Sequence, residues 1–482
     1  MTIKQASKII IGLVLPASLL VLGAVQALAQ TQPATATVLP TIPPAGVGDI
    51  VPTEVKTVDI SAGGPGCRML LGDVNGDGHY DIVMMQPNNE PNNAGVPVQV
   101  QCLTAYDILT GKLLWQTGTP DPQVRGNGSD IPAEVYDIDG DGFNEVLAVM
   151  DKKFKILDGK TGKEKKSFDL PAGNAHDAIA IANFSGKAKP QDIVIKDRYR
   201  NVWTFDNEFK PLWTYRGNPG HYPWPYDFNG DGKEEFMCGF DLLAADGTKV
   251  WSLQNVAGNE HADCLQIGDV NGDGQPEIIF GGPTDARGGV TIATDRNGKE
   301  IWRNADMKES QQVVLGKFRK DLPGLQVFGL DRVDRGRVTP RDALFLIGSD
   351  GKTIWKETAN TNGWGTAIHK VINWDGKHTA MVLAHKRGRA IMPKLYDGKG
   401  KVISTFPTEG NAMISDLTGE GREQIVMFDQ AKAHVYANGP CNLSKSPSAG
   451  KPVPQPKALY NFTRYGSGEI TAAEIKAESS GK

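Results

Sequence analysis

Beyond its first thirty residues the chain has no apolar run of bilayer-spanning length, and from about residue 53 to 440 no segment repeats its apolar residues with helical period. Strands are left to build the core. Cysteine is scarce: Cys67, Cys102, Cys238, Cys264 and Cys441 stand apart, with no C-x-x-C and no Cys/His spacing, which excludes a thiolate zinc site. The odd count leaves at least one thiol unpaired or intermolecular; Cys67 and Cys102 fall in strands of one repeat and are a plausible pair, although spacing alone does not fix the pairing. No excess of positive charge exists either. The formal net charge of −4 gives no reason to expect nucleic acid as a partner.

The apolar run at the start has a defined meaning. Lys4 and Lys8 precede Ile9–Leu28, and Ala27-Leu28-Ala29 is a small-x-small cleavage signal, so residues 1–29 read as a secretory signal peptide. Cleavage predicts a secreted or periplasmic protein with no membrane attachment, in a compartment that permits disulfides. Residues 30–52 are rich in Pro, Thr and Ala and read as a linker; apolar patterning holds over 53–440 and fades across a C-terminal tail, 441–482.

Within 53–440 the sequence repeats itself. An apolar strand, an acidic glycine-containing loop and a second apolar strand recur as LLGDVNGDGHYDIVMM, VYDIDGDGFNEVLAV, PYDFNGDGKEEFMCG, QIGDVNGDGQPEIIFGG and ISDLTGEGREQIVMF, with weaker copies near Ile181, Leu315 and Ile372. After each comes a turn and a short strand that often carries Trp, as in TGKLLW or DGKTIW. Taking Asp73, Asp137, Asn183, Asp227, Asp269, Lys317, Asn373 and Asp416 as equivalent, the intervals are 64, 46, 44, 42, 48, 56 and 43. Such a period with about four short strands per repeat predicts an all-β β-propeller of about eight four-stranded blades, seven being the alternative. The segment TEVKTVDI from Thr53 is placed to supply the last strand of the final blade. The tryptophans of the outer strands read as packing residues rather than ligand platforms.

The loops have the chemistry of calcium-binding hairpins. Oxygen-bearing side chains at positions 1, 3, 5 and 9, around a glycine that permits a sharp turn, suit a hard cation needing six to eight oxygens. The four full sets are Asp73, Asn75, Asp77, Asp81; Asp137, Asp139, Asp141, Glu145; Asp227, Asn229, Asp231, Glu235; and Asp269, Asn271, Asp273, Glu277. A fifth set, Asp416, Thr418, Glu420 and Glu423, is degraded. Calcium is expected as a structural cofactor at several of these loops. They resemble the hairpins of integrin-type FG-GAP propeller repeats, a resemblance that implies fold and metal but not activity.

If the calcium loop joins the first strand of each blade to the second, the residues leading into the first strand lie on the opposite face. Three consecutive repeats carry histidine there: His176, His221 and His261. The turns between second and third strands add Lys196-Asp197-Arg198-Tyr199-Arg200 and His385-Lys386-Arg387, and Tyr222 and Trp224 flank His221. His79, His369, His378 and His434 carry no comparable site context. A basic, aromatic, imidazole-bearing mouth suits an acidic polysaccharide. β-Elimination at a uronate needs a group to neutralise the carboxylate, a base for the C5 proton and an acid for the C4 oxygen. Arg fits the first role, His and Tyr the others.

The strings GHYPWPYDFNGDGKEEFMCG, NEHADCLQIGDVNGDGQPEIIFGG, IVIKDRYRNVWTF and KDLPGLQVFGLD resemble propeller polysaccharide lyases: the rhamnogalacturonan lyases of polysaccharide lyase family eleven and the related ulvan and rhamnose–glucuronate lyases. The resemblance spans roughly Gly64 to Gly439. It implies a lyase of rhamnose- and uronate-containing polysaccharide, such as rhamnogalacturonan, ulvan or a gum arabic-like polymer. It implies His176, His221 and Tyr222 in proton transfer and Arg198 at the carboxylate. Tyr199, His261, Trp224, Lys386 and Arg387 are placed as substrate contacts. The alternatives are a rhamnose-releasing glycosidase on the same scaffold, a non-catalytic glycan-binding or adhesion propeller, and a quinone-dependent dehydrogenase, whose central calcium and adjacent cysteines the sequence does not offer.

Overall fold

The computed structural model describes residues 49–88, 99–124, 132–221, 223–257, 261–285, 288–332, 341–357, 361–362, 366–386 and 392–447. The signal-peptide segment, most of the linker and the tail beyond 447 lie outside them. Among the described residues no helix is long and apolar enough to cross a membrane.

Seven sheets form, and one of them is two four-stranded antiparallel units joined by a single parallel bridge, Val100 to Met150. The chain thus folds as eight successive units built on four strands, the sixth carrying a fifth, two-residue strand, Thr361–Asn362, paired with Arg341–Ile347. Their first strands are Arg68–Gly72, Ala133–Tyr136, Ala178–Ala182, Trp224–Tyr226, Cys264–Gly268, Ser310–Gly316, Thr366–Ile372 and Asn411–Ser415. In seven units the strands follow in chain order. In the eighth, the fourth strand is Thr53–Asp59 from the start of the chain, paired antiparallel with Lys432–Ala437.

Burial explains the continuous apolar runs. Second strands such as Asp81–Pro87 and Glu145–Met150 are buried at every position. Fourth strands such as Glu164–Asp169 and Lys249–Ser252 are mostly exposed. A sheet covered on both faces needs no alternation. Each flank is covered by the next unit: Leu147 and Phe154 of the second pack with Ile179 and Ile193 of the third, and Phe328 of the sixth with Ile368 and Val382 of the seventh. Met413 and Val426 of the eighth share a cluster with Met69 and Val83 of the first and Val135 of the second. This all-β array fits a multi-blade propeller.

A repeated clasp fastens the rim. The fourth-strand indole of one unit donates to a carbonyl in the last turn of the next: Trp115 Nε1 to Gly159 O at 2.7 Å, Trp213 to Ala245 at 2.8 Å, Trp251 to Arg296 at 3.0 Å, Trp302 to Ser349 at 3.1 Å and Trp355 to Gly398 at 2.9 Å. The second and third units use ring stacking instead, Phe168 on Phe209 with centroids 4.6 Å apart. Lys56, in the strand borrowed by the eighth unit, donates to Leu109 O in the equivalent turn of the first.

The turns that receive an indole leave no room for a side chain. A Cβ on Gly351, whose φ is +79°, would lie 2.6 Å from the Trp302 ring. We expect Gly351→Ala to cost roughly 1–3 kcal/mol and Trp302→Phe, which removes the hydrogen bond, about 1 kcal/mol. Replacing the exposed Leu113 by Ala should change little. Urea unfolding of the three variants checks this; unchanged midpoints for the first two would mean that the rim contacts contribute nothing.

Candidate active site

Each acidic loop joins the first strand of its unit to the second, so it lies at the opposite end of the first strand from the residues that lead into it. The loop Asp at position 1 binds two glycine amides. Gly76 and Gly78 donate to Asp73 at 2.7 and 2.9 Å, and the pattern recurs at Asp137, Asp227 and Asp269. The position-9 carboxylate accepts the amide of position 2, as in Val74 N to Asp81 Oδ2 at 3.0 Å and Val270 N to Glu277 Oε2 at 2.7 Å. This folds Asn75, Asp77 and their counterparts around one point. Burial pushes Asp81 up to about 8 and Glu277 up to about 7, and each loop offers several carboxylate and amide oxygens, the ligands a hard cation takes. The donor set therefore fits a hard divalent ion.

The same position-2 bond corrects three sequence assignments. It falls on Ser185 to Asp192 in the third unit and Arg319 to Gln326 in the sixth, so position 1 there is Phe184 or Phe318, one residue beyond Asn183 and Lys317. In the fifth acidic loop Leu417 N donates to Gln424, a neutral residue. Glu423 instead accepts Ile372 N of the neighbouring unit. That loop has no closing carboxylate.

At the other end of the first strands, side chains from four consecutive units, the third to the sixth, meet. His221 N donates to Ala262 O at 3.0 Å, tying the start of the fourth unit to that of the fifth. Asp263 Oδ1 then lies 3.3 Å from His221 Nε2 and 3.2 Å from His261 Nε2. The two imidazole centroids are 4.8 Å apart. From the third unit, Tyr199 places its ring 5.7 Å from His221 and 4.6 Å from His261, with its hydroxyl 3.5 Å from His261 Nε2. Arg198 lies over the Tyr199 ring with Cζ 5.3 Å from its centroid. Gln311 comes in from the sixth unit, where the strand register shifts between Ser310 and Gln312, and donates to Asp263 Oδ1 at 3.1 Å. Such a bulge re-aims a side chain.

Asp263 is buried, which alone would raise its pKa, yet the hydrogen bonds from His221 and His261 hold its carboxyl well below the usual range. Next to it lies a second buried charge group. Asp177 Oδ2 takes Lys196 Nζ at 2.7 Å and Arg198 Nη1 at 3.5 Å. His176 is buried one residue before Asp177. Among the described residues, two sets of side chains could hold a metal, with one donor atom each within 4.8 Å: His221, His261 and Asp263 here, and Asp137, Asp139 and Glu145 in the second loop.

The structure thus gathers Arg198, Tyr199, His221 and His261, and His176 is buried next in sequence to Asp177, the partner of Arg198. Tyr222 and Arg387 lie outside the described residues, and of Lys386 only its backbone, opposite Thr366, is described. Trp224 does not stand as a substrate contact: its indole packs between the fourth and fifth units with Met237 and Leu265. His385 lies within a strand, not a turn, and its ring meets that of His369 at 4.9 Å. Cys67 and Cys102 are both buried thiols and are not bonded to each other; burial pushes Cys67 up to about 12. Sequence reasoning missed Asp177, Asp263 and Gln311. The signals were present: an acid one or two residues after a histidine in AHD and EHAD, and two glutamines opening the apolar strand SQQVVLG.

Fold and site together define a many-sheeted β protein with a buried imidazole–carboxylate–cation centre. No family model matches the chain. By sequence it is similar to the rhamnogalacturonan endolyase YesW of Bacillus subtilis, 22% identical over 436 residues that cover 76% of this chain and 66% of that protein. It is also similar to the rhamnogalacturonan exolyase YesX of the same organism, 21% identical over 445 residues covering 76% and 70%. The chain thus spans about two thirds of the length of these curated relatives. The crystal structure of YesX superposes with a TM-score of 0.60 at 18% identity, covering 89% of this chain and 84% of that one. The V. cholerae biofilm matrix protein Bap1 superposes at 0.55 with 14% identity, covering 89% and 98%. At these identities the superpositions define the fold.

Burial lowers His369 from 6.5 to about 4. The unfolded chain then binds a proton that the native state refuses between those values, so this contribution to stability is intact above the upper pH and is lost as pH falls toward the lower one. We expect up to about 3 kcal/mol across that window, absent from His369→Gln. Urea midpoints of both proteins across the same window check it.

Proposed function

We propose that this chain is an exported polysaccharide lyase that cleaves a rhamnose- and uronate-containing polysaccharide by β-elimination, on eight blades closed into a ring and stapled by calcium. The observation that carries the reading is the meeting of two imidazoles, a phenol and a guanidinium from three consecutive units around buried Asp263, at the strand ends away from the acidic loops. Similarity along three quarters of the chain to two named rhamnogalacturonan lyases supports the substrate class. Ulvan and gum arabic-like polymers share the same rhamnose–uronate chemistry.

In the elimination, Arg198 and Lys196 supply the positive field that neutralises the uronate carboxylate and acidifies C5. An imidazole, His221 or His261, takes the C5 proton. The electron pair forms the C4–C5 double bond as the C4–O bond breaks, and the Tyr199 hydroxyl protonates the departing oxygen. Asp263 orients both imidazoles and stabilises whichever becomes charged; Gln311 fixes Asp263. Calcium in the loops would be held by Asp73, Asp77, Asp81 and their counterparts and would supply hairpin stability. Lys4, Lys8 and the Ala27-Leu28-Ala29 signal support export.

With rhamnogalacturonan, we expect the ultraviolet absorbance of an unsaturated uronate, and a fall of about 10²–10⁴ in kcat/KM for His221→Ala, with circular dichroism unchanged. New reducing ends without that absorbance would instead indicate hydrolysis. A second reading, a glycan-binding propeller without catalysis, is favoured by one observation: His221 and Arg198 are each only 5% exposed. Glycan binding that survives His221→Ala and Arg198→Ala, with no turnover in any form, would establish it. For the metal, each site kept about a hundredfold above its Kd contributes about 2.7 kcal/mol, so chelation should lower Tm before activity is lost. An unchanged Tm would remove calcium from the account.

A further inference from the structure

The four full acidic loops are alike in sequence but differ in what surrounds them. Three carry Asn at position 3: Asn75, Asn229 and Asn271. Each turns its side-chain amide to the closing carboxylate, as in Asn229 Nδ2 to Glu235 Oε1 at 2.7 Å and Asn271 Nδ2 to Glu277 Oε1 at 2.8 Å. The second loop has Asp139 at that position and so gathers four carboxylates. Into it reach two lysines from different elements. Lys165, on the fourth strand Glu164–Asp169 of the same unit, puts Nζ 2.8 Å from Asp139 Oδ2, 2.8 Å from Glu145 Oε1 and 4.0 Å from Asp141 Oδ2. Lys189 comes from the corresponding loop of the third unit, which keeps only its closing Asp192, and puts Nζ 2.6 Å from Asp137 Oδ2. Among the described residues, no ion pair to lysine or arginine reaches the corresponding carboxylates of the other three full loops, Asp73, Asp77 and Asp81, Asp227, Asp231 and Glu235, or Asp269, Asp273 and Glu277.

We propose that the second hairpin is closed by the chain's own ammonium groups rather than by calcium, with Lys165 standing among Asp139, Asp141 and Glu145, the carboxylates that would otherwise hold the ion. A calcium ion binds its oxygens at about 2.3–2.6 Å and would compete with Lys165 for the same ones; the two like charges exclude each other at that separation. The lysine is tethered and satisfies two carboxylates at once, so its local concentration does not depend on the medium. The extra acid at position 3 matches this assignment, because two single charges then meet four carboxylates. The loop is thus exempt from the calcium dependence proposed for the other three, and the inference rests on that reading.

Bound calcium is measured by atomic emission on the full-length protein after dialysis at fixed free calcium. Matched variants remove the exposed position-5 acid: Asp141→Ala in the second unit, Asp231→Ala in the fourth and Asp273→Ala in the fifth. We expect the last two to lose about one calcium per chain each, Asp141→Ala to lose none, and Lys165→Met to gain about one. A loss in Asp141→Ala equal to that of the other two overturns the proposal while leaving the calcium reading of the hairpins standing. No loss in any of the three overturns that reading and the contrast built on it. Hydrogen exchange of the wild-type protein gives a local measure. Chelator should speed exchange in the hairpins 227–235 and 269–277 and leave 137–145 unchanged; equal acceleration in all three counts against the lysine closure.

Discussion

A four-stranded sheet with both faces apolar cannot stand alone, and the whole molecule follows from how each sheet finds its cover. The flanks bury Val, Ile, Leu and Phe against the neighbouring unit. That burial is strong but without direction, since apolar contact fixes no unique orientation. The rim supplies direction. An indole N–H of one unit finds one carbonyl of the next, and the indole ring fills the space left by a glycine of the same turn. A buried donor has few partners available, so the hydrogen bond sets the angle at which one unit meets the next.

That angle brings the centre together. His221, His261 and Tyr199 each come from a different unit, so their separations depend on how the units stack, not on any one loop. The centre holds buried charges in compensated groups: Asp263 with two imidazoles and Gln311, and Asp177 with Lys196 and Arg198. Removing one member of such a group strands the rest in a low-dielectric interior, a larger penalty than losing a surface pair. The acids in the loops lie at the far end of the strands, where solvent and cations are at hand. The fourth and fifth units thereby keep their loop acids and their share of the buried centre at opposite ends of the first strand.

Much of this architecture was legible from periodicity. The repeats located the eight first strands, and Thr53–Asp59 was recognised as the strand that completes the last sheet, because an apolar-alternating segment stood unpaired before the first repeat. The outer tryptophans proved to be packing residues, as their regular spacing implied. What was not legible depends on residues distant in sequence. Nothing local says that Gln311 reaches Asp263, some fifty positions earlier, or that His369 meets His385 across two strands. Trp224 was misplaced because an aromatic beside a histidine suggests a binding platform; its neighbours Met237 and Leu265 belong to other strands and make it core. The loops at Asn183 and Lys317 were aligned one residue early, since their position 1 is a phenylalanine and only the bond to Asp192 or Gln326 marks the register.

The strand Thr53–Asp59 is made before every other strand described, yet its partner Lys432–Ala437 is made last. During synthesis its edge must remain available while the intervening sheets form, and a chain stopped anywhere short of that partner exposes two unpaired sheet edges. Assembly therefore ends on the most distant pairing in the sequence, an event that the loop-closure cost makes slow. Until then the first strand is held in reserve, and truncated products are prone to join one another edge to edge.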